Sequence, residues 1–289
     1  MPAHVSVASL AVLGILAFPQ PSAITAQEGP VSSAPAEASA WQTLREGIAD
    51  HDAVHRQTTL AAMASIGPAA EAVRLVVGCL KDHDTLVRQS AAAVLGQMGS
   101  EQAIVALKAA LDDGPEVSFT AAKALWDLGD TAGRDIFQQV LEGERKGPGR
   151  LNGAIRDAKK KLKPAQLAFM GVKEAAGVLG PAGSLSVLAV REAMKEAKDS
   201  GVPGRSVAAE VLGKDSDPYA LTLLEWALDD GNWAVRLSVA KALGERGNAG
   251  SIPKLAPLLT DDRHAVRYMA AASIIKLGLK NQSAGISSK

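Results

Sequence analysis

The 289-residue sequence contains a single cysteine, Cys79. That excludes an intramolecular disulfide framework and any cysteine-based zinc knuckle. Aromatic residues make up only 3% of the chain, so alanine, valine and leucine must fill whatever core it builds. Neither sign of charge is in excess. The 31 Lys and Arg balance the 31 Asp and Glu, which argues against a general nucleic-acid binder. No P-loop, no GxGxxG following a strand and no GxSxG occurs. What the chain does have is an apolar fraction of 47% against 21% charged, enough to bury a core and too much for disorder throughout.

Long apolar runs are scarce as well. Val5 to Phe18 is the most continuous, at 14 residues. A membrane-spanning helix needs roughly 20, so the run reads instead as the apolar region of a secretory signal peptide over residues 1–26, with a cut after Ala26. Its leader, Met1-Pro2-Ala3-His4, carries no Lys or Arg and is atypical. A misassigned start or an uncleaved anchor is the competing reading. With no cysteine near Ala26, a lipid-anchored form is excluded. Residues 27–40, rich in Pro, Ser and Ala, read as a disordered tether. The expected location is therefore periplasmic or secreted.

A period of about thirty residues organises the rest. Asp84 to Gly99 (DTLVRQSAAAVLGQMG), Gly114 to Gly129, Gly231 to Gly247 and Asp262 to Gly278 share one frame. It runs Val-Arg, then Ala-Ala, then Leu-Gly, then Gly. A first copy starts at Asp52, and another around Gly204 keeps Arg205. Val87, Ala91, Val94 and Leu95 fall at i, i+4, i+7 and i+8, one face of a helix. Gly99 ends that helix; Ala103, Ile104, Leu107 and Leu111 start a second apolar face. Each period is a helix pair that cannot bury its own apolar face, so neighbouring pairs must stack. The expected fold is an all-α superhelix, a solenoid of about six to seven helix pairs.

The residues Val87-Arg88…Ala91-Ala92…Leu95-Gly96…Gly99, and Val235-Arg236…Val239-Ala240…Leu243-Gly244…Gly247, resemble the HEAT repeat, specifically the short bacterial variety associated with phycobilin lyases. The resemblance covers repeats within 41–141 and 204–280. Between them, 142–203 reads as a divergent helical insertion: a helix near Arg150 to Lys163, then one degenerate helix pair. Residues 281–289 read as a disordered tail. The resemblance implies a scaffold for partner binding and specifies no reaction. Hydroxylases of similar repeat fold depend on His-Glu pairs, and this sequence has none.

Five features of the sequence have both a functional and a structural reading. The recurring Asp and Arg (Asp52 and Arg56, Asp84 and Arg88, then Arg236 and Arg267) read first as helix caps and bonds between repeats, and second as a basic row for an acidic ligand. His51 and His55 stand at i, i+4 around Asp52, with His83 and His264 at other repeat starts. That spacing makes a transition-metal site conceivable, but exposed polar positions are expected at repeat starts, so no metal site and no cofactor is assigned. The segment 142–163 carries eight Lys and Arg against three Asp and Glu. It is a solvated insertion or a docking strip for an acidic partner or anionic lipid. The apolar run Leu167 to Val190 reads as a buried helix hairpin. Trp126 replaces the glycine that follows leucine in other copies, while Trp226 and Trp233 flank a turn; exposed tryptophan is a natural binding anchor.

Together these readings lead us to expect a non-catalytic scaffold mediating protein–protein interaction in the bacterial cell envelope. Its expected partner-binding residues are Trp126, Arg150, Lys159, Lys160 and Lys161; no catalytic residue is expected. The partner is another protein rather than a nucleic acid, with a membrane surface less favoured. A lyase-like or chromophore-handling protein is the first alternative. A peripheral membrane adaptor using 142–163 is the second.

Overall fold

The computed structural model describes residues 33–144 and 202–287, which belong to one compact unit, Ser33–Lys289. The signal segment expected over 1–26, the basic residues 145–163 and the degenerate pair expected after them lie outside the described residues. Twelve α-helices and no strand occur among the described residues. In chain order they are α1 (Ala34–Ile48), α2 (Ala53–Met63), α3 (Ala70–Cys79), α4 (Thr85–Met98), α5 (Ile104–Ala109), α6 (Pro115–Asp127) and α7 (Arg134–Glu142). After the break come α8 (Val202–Lys214), α9 (Pro218–Trp226), α10 (Trp233–Arg246), α11 (Ile252–Leu255) and α12 (His264–Ser287). Short 3₁₀ turns extend or join several of them. This is the all-α solenoid that the periodicity predicts.

The repeat frame explains each first helix. In α4, the Asp84 carboxylate accepts from the Leu86 and Val87 N–H groups and so satisfies donors the helix leaves open. Gly99 ends it at φ 69°, a left-handed conformation that strains any residue with a Cβ. Between these limits Val87, Ala91, Val94 and Leu95 are buried, as their spacing requires. In α10, Asn232 and Gly247 (φ 82°) do the same work. The alanines and glycines set how closely first helices approach. A Cβ built on Gly96 would lie 2.8 Å from the Ala124 Cβ, and one on Gly213 2.9 Å from the Ala242 Cβ. These helices touch where no larger residue fits.

The order of stacking differs from the order of the chain. First helices pack side by side in the sequence α8, α10, α12, α2, α4, α6. The C-terminal helix therefore lies directly against the first N-terminal repeat. Second helices form the other layer: α3 lies on α4, α5 on α6, α9 on α10 and α11 on α12. The second helix that follows α12 comes from the opposite end of the chain. It is α1, packed on both α12 and α2. Ala40 and Leu44 of α1 and Ile274 and Leu277 of α12 are fully buried. Gly47 admits α2 and α12 at once, since a Cβ there would meet Thr59 Oγ1 and the Tyr268 ring.

Two expected boundaries shift for this reason. The tether expected over 27–40 is helical from Ala34, and the tail expected from residue 281 is helix to Ser287. Composition reads Ala34 to Ala40 as linker because it lacks the repeat frame. Its small side chains nevertheless suit a helix held against α12.

Candidate functional site: the repeat ladder, an aromatic face on α6–α7 and a histidine–aspartate cluster

An aspartate opens the turn before five of the six first helices (α2, α4, α6, α10 and α12), and its carboxylate is fixed by a backbone N–H one or two residues on. Asp50 accepts from Asp52 N, Asp82 from Asp84 N, Asp113 from Gly114 N, Asp230 from Asn232 N and Asp261 from Arg263 N. An arginine from the preceding repeat meets this carboxylate. Arg56 forks onto Asp82 (2.8 and 2.8 Å), Arg88 onto Asp113 (2.7 and 3.0 Å) and Arg236 onto Asp261 (2.8 and 2.9 Å). Arg205 pairs with Asp230 at 2.8 Å. Four ladder arginines also reach back to a carbonyl six residues earlier: Arg56 to Asp50, Arg88 to Asp82, Arg236 to Asp230 and Arg267 to Asp261.

These forks are charge-assisted and half-buried to buried; Arg56 is 3% exposed. The Arg88 guanidinium holds the Asp113 carboxyl below the usual carboxylate range. At Asp82, burial pushes the other way, and the Arg56 hydrogen bond together with its charge prevails, lowering the carboxyl. The arginine row is consumed in joining repeats, the first of the two readings set out for it. Cys79 is equally unavailable for chemistry: it is buried, and burial pushes its thiol up to about 11.

At α6 the frame changes. Ser118 stands where other first helices carry the outgoing arginine, and Trp126 stands where α4, α8 and α10 carry the close-approach glycine. Trp126 is 53% exposed. Its ring meets Phe137 of α7 edge-on at 6.4 Å, and Phe137 meets Phe119 edge-on at 5.4 Å. The recurring sequence devices that attach the next repeat are replaced on this face by an aromatic group. Arg150, Lys159, Lys160 and Lys161 lie outside the described residues. Trp226 is 80% exposed on α9, whereas Trp233 is half-buried beneath the Arg263 guanidinium. The two tryptophans that flank one turn thus differ in accessibility.

The repeat starts at the α12–α2 seam hold the remaining cluster. His55 Nδ1 lies 3.1 Å from Asp50 Oδ2 and 3.0 Å from His264 Nδ1. All three donor atoms fall within 4.8 Å of one another. The His55 and His264 rings stand 3.8 Å apart, and Tyr268 backs His264 at 6.0 Å. Burial, followed by the positive charge of Arg267 and of His55, lowers His264 from its ordinary value. The Asp52 N–H lowers Asp50; desolvation opposes it, and the His55 hydrogen bond adds a smaller lowering. The i, i+4 spacing pairs His55 with His51; the structure gives it Asp50 and, from 209 residues away, His264.

A model of HEAT repeats matches residues 42–126 and 188–275. The chain belongs to the HEAT-repeat family. Among curated proteins none matches the sequence. Among solved structures, human deoxyhypusine hydroxylase in complex with glycerol is similar, at 19% identity over 87% of this chain and 100% of that chain, with a TM-score of 0.33. Among the described residues no helix of this HEAT-repeat protein is long and apolar enough to cross a membrane.

Proposed function

We propose that the chain is a non-catalytic HEAT-repeat scaffold of the bacterial cell envelope that binds another protein through the α6–α7 face. One observation carries the reading: Trp126, half exposed, occupies the position that is glycine pressed against the next helix in α4, α8 and α10, alanine in α2 (Ala64) and a buried isoleucine in α12 (Ile275). A tryptophan there obstructs close stacking of a further repeat and offers a rigid aromatic anchor instead. Phe119 and Phe137 support its ring, so little side-chain entropy is lost when a partner covers it. The basic residues Arg150, Lys159, Lys160 and Lys161 follow α7 in sequence and favour a partner with acidic groups. Export rests on the apolar run Val5 to Phe18.

The test is affinity capture from envelope extract by the full chain and by Trp126→Ala. The reading expects a saturable protein partner that the variant loses by at least about tenfold in affinity, with an unchanged thermal melt. A partner retained equally by both proteins would overturn the assignment to this face. Spectral shifts on stoichiometric addition of a tetrapyrrole would replace the scaffold with the chromophore-handling alternative. Sedimentation with anionic liposomes that weakens in salt would replace it with the membrane adaptor.

A further inference from the structure

The HEAT frame places valine before the ladder arginine: Val87, Val117, Val235 and Val266 occupy that position and are at most 1% exposed. In α2 the same position is His55. The replacement occurs at the junction where the chain is discontinuous, with α12 stacked on α2. The ladder changes there too. Ordinary junctions give the aspartate of the turn an arginine fork, but Arg267, the residue in register to reach Asp50, donates to the Asp261 carbonyl. Asp50 turns its Oδ2 to His55 instead, and His264, the first residue of α12, supplies a second imidazole.

The hydrogens at this point are too few for the acceptors. Two Nδ1 atoms and a carboxylate oxygen converge at 3.0 and 3.1 Å. In neutral imidazoles each ring carries one N–H, on either nitrogen. If His264 donates to His55, the His55 lone pair faces the Asp50 oxygen. If His55 donates, its single N–H is divided between two acceptors. A cation in place of that hydrogen engages all three lone pairs. Two nitrogens or oxygens each about 2.0–2.2 Å from one tetrahedral or square centre lie about 2.8–3.5 Å apart; the His55–Asp50 and His55–His264 pairs have this spacing, and the Asp50–His264 pair lies within 4.8 Å.

We infer that Asp50, His55 and His264 form a binding site for a late first-row divalent cation, Zn²⁺ by the chemistry of the donors, joining the N-terminal and C-terminal repeats at the α12–α2 seam. The donor set, two imidazoles and one carboxylate, is of the kind these ions take. Asp50 is held from behind by the Asp52 N–H, and the His264 ring by the buried Tyr268. Such outer contacts orient ligands before the ion arrives. The His55 and Asp50 side chains are 33% and 29% exposed, so an ion reaches them from solvent. Three protein ligands leave a coordination position for water. Because the ligands come from helices at opposite ends of the chain, the ion stabilises their stacking. This site is independent of the α6–α7 face and of the scaffold reading.

The experiment uses the full chain, freed of metal with a chelator and titrated calorimetrically with Zn²⁺, with thermal melts recorded alongside. One ion per chain is expected, and the melting temperature should rise with added Zn²⁺. His55→Gln and His264→Gln should each weaken binding at least about tenfold and abolish that rise, while His51→Gln and His83→Gln leave both unchanged. If a glutamine variant fails to fold, Asp50→Asn replaces it, since asparagine still accepts from the Asp52 N–H. Absence of binding would overturn the proposal and leave a shared proton as what the cluster holds. Binding that survives loss of His55, His264 or Asp50 would overturn it as well.

Discussion

The junction between α4 and α6 and the junction between α12 and α2 join the same kind of helices in different ways. At the first, the chain runs on through α5, Arg88 forks onto Asp113, and Gly96 rests on Ala124. At the second, no chain connects the helices directly. The arginine fork gives way to a histidine pair beside Asp50, and the covering helix α1 comes from the far terminus. Both junctions nonetheless bury first helices side by side. A repeat therefore needs a neighbour of the right shape rather than the next stretch of sequence, because burial and packing depend on position in space.

Replacing the arginines should separate the two junctions most strongly. At the α2–α4 junction, which is built like α4–α6, Arg56→Ala leaves Asp82 half-buried without its guanidinium and is expected to destabilise by about 3–5 kcal/mol in denaturant unfolding. Arg267→Ala removes a bond to a carbonyl of its own turn and should cost about 1 kcal/mol. Equal effects would mean that the seam carries a fork of the ordinary kind.

Glycine substitutions come next. Gly96→Ala and Gly47→Ala each force a Cβ into a neighbour, and about 1–3 kcal/mol of destabilisation is expected at both. Gly78→Ala meets nothing within 4 Å, lies inside α3 and should stabilise by up to about 1 kcal/mol. A Gly47 variant as stable as the parent would show that α1 does not seat against α2 and α12 as described.

The smallest effect is in acid. Arg88 lowers the folded Asp113 carboxyl, so the unfolded chain takes up this proton more readily than the folded one. The resulting stability is present above the unfolded carboxylate value of about 3.9 and is lost as pH falls through the lower folded value. Asp113→Asn should therefore reduce the fall in melting temperature below about pH 4, by an amount worth under about 1 kcal/mol at this partly exposed pair. Asp50→Asn, at the seam, has no arginine fork to lose.

The face formed by Val87, Ala91, Val94 and Leu95, the Asp84 cap and the Gly99 stop were readable because each acts within one helix. The arginine ladder was readable because it recurs with the period. Trp126 stood out as the residue that breaks the Leu-Gly pair. His55 carried a comparable signal, since it replaces the frame valine, but reading the histidines by helical spacing joined it to His51. Ala34 to Ala40 carried none, since a helix whose mate lies at the other end of the chain has no periodic partner nearby.

The sequence by itself determined the module: a capped helix, a glycine stop, a second helix and an Arg–Asp link, all set by short-range geometry that repeats about every thirty residues. Only the tertiary structure decided the order in which modules stack, that α1 completes the repeat begun by α12, and that His264 meets His55 and Asp50. Periodicity specifies which faces must be buried. It does not specify which copy buries them, because every copy presents nearly the same apolar surface and the choice rests on the few contacts where copies differ.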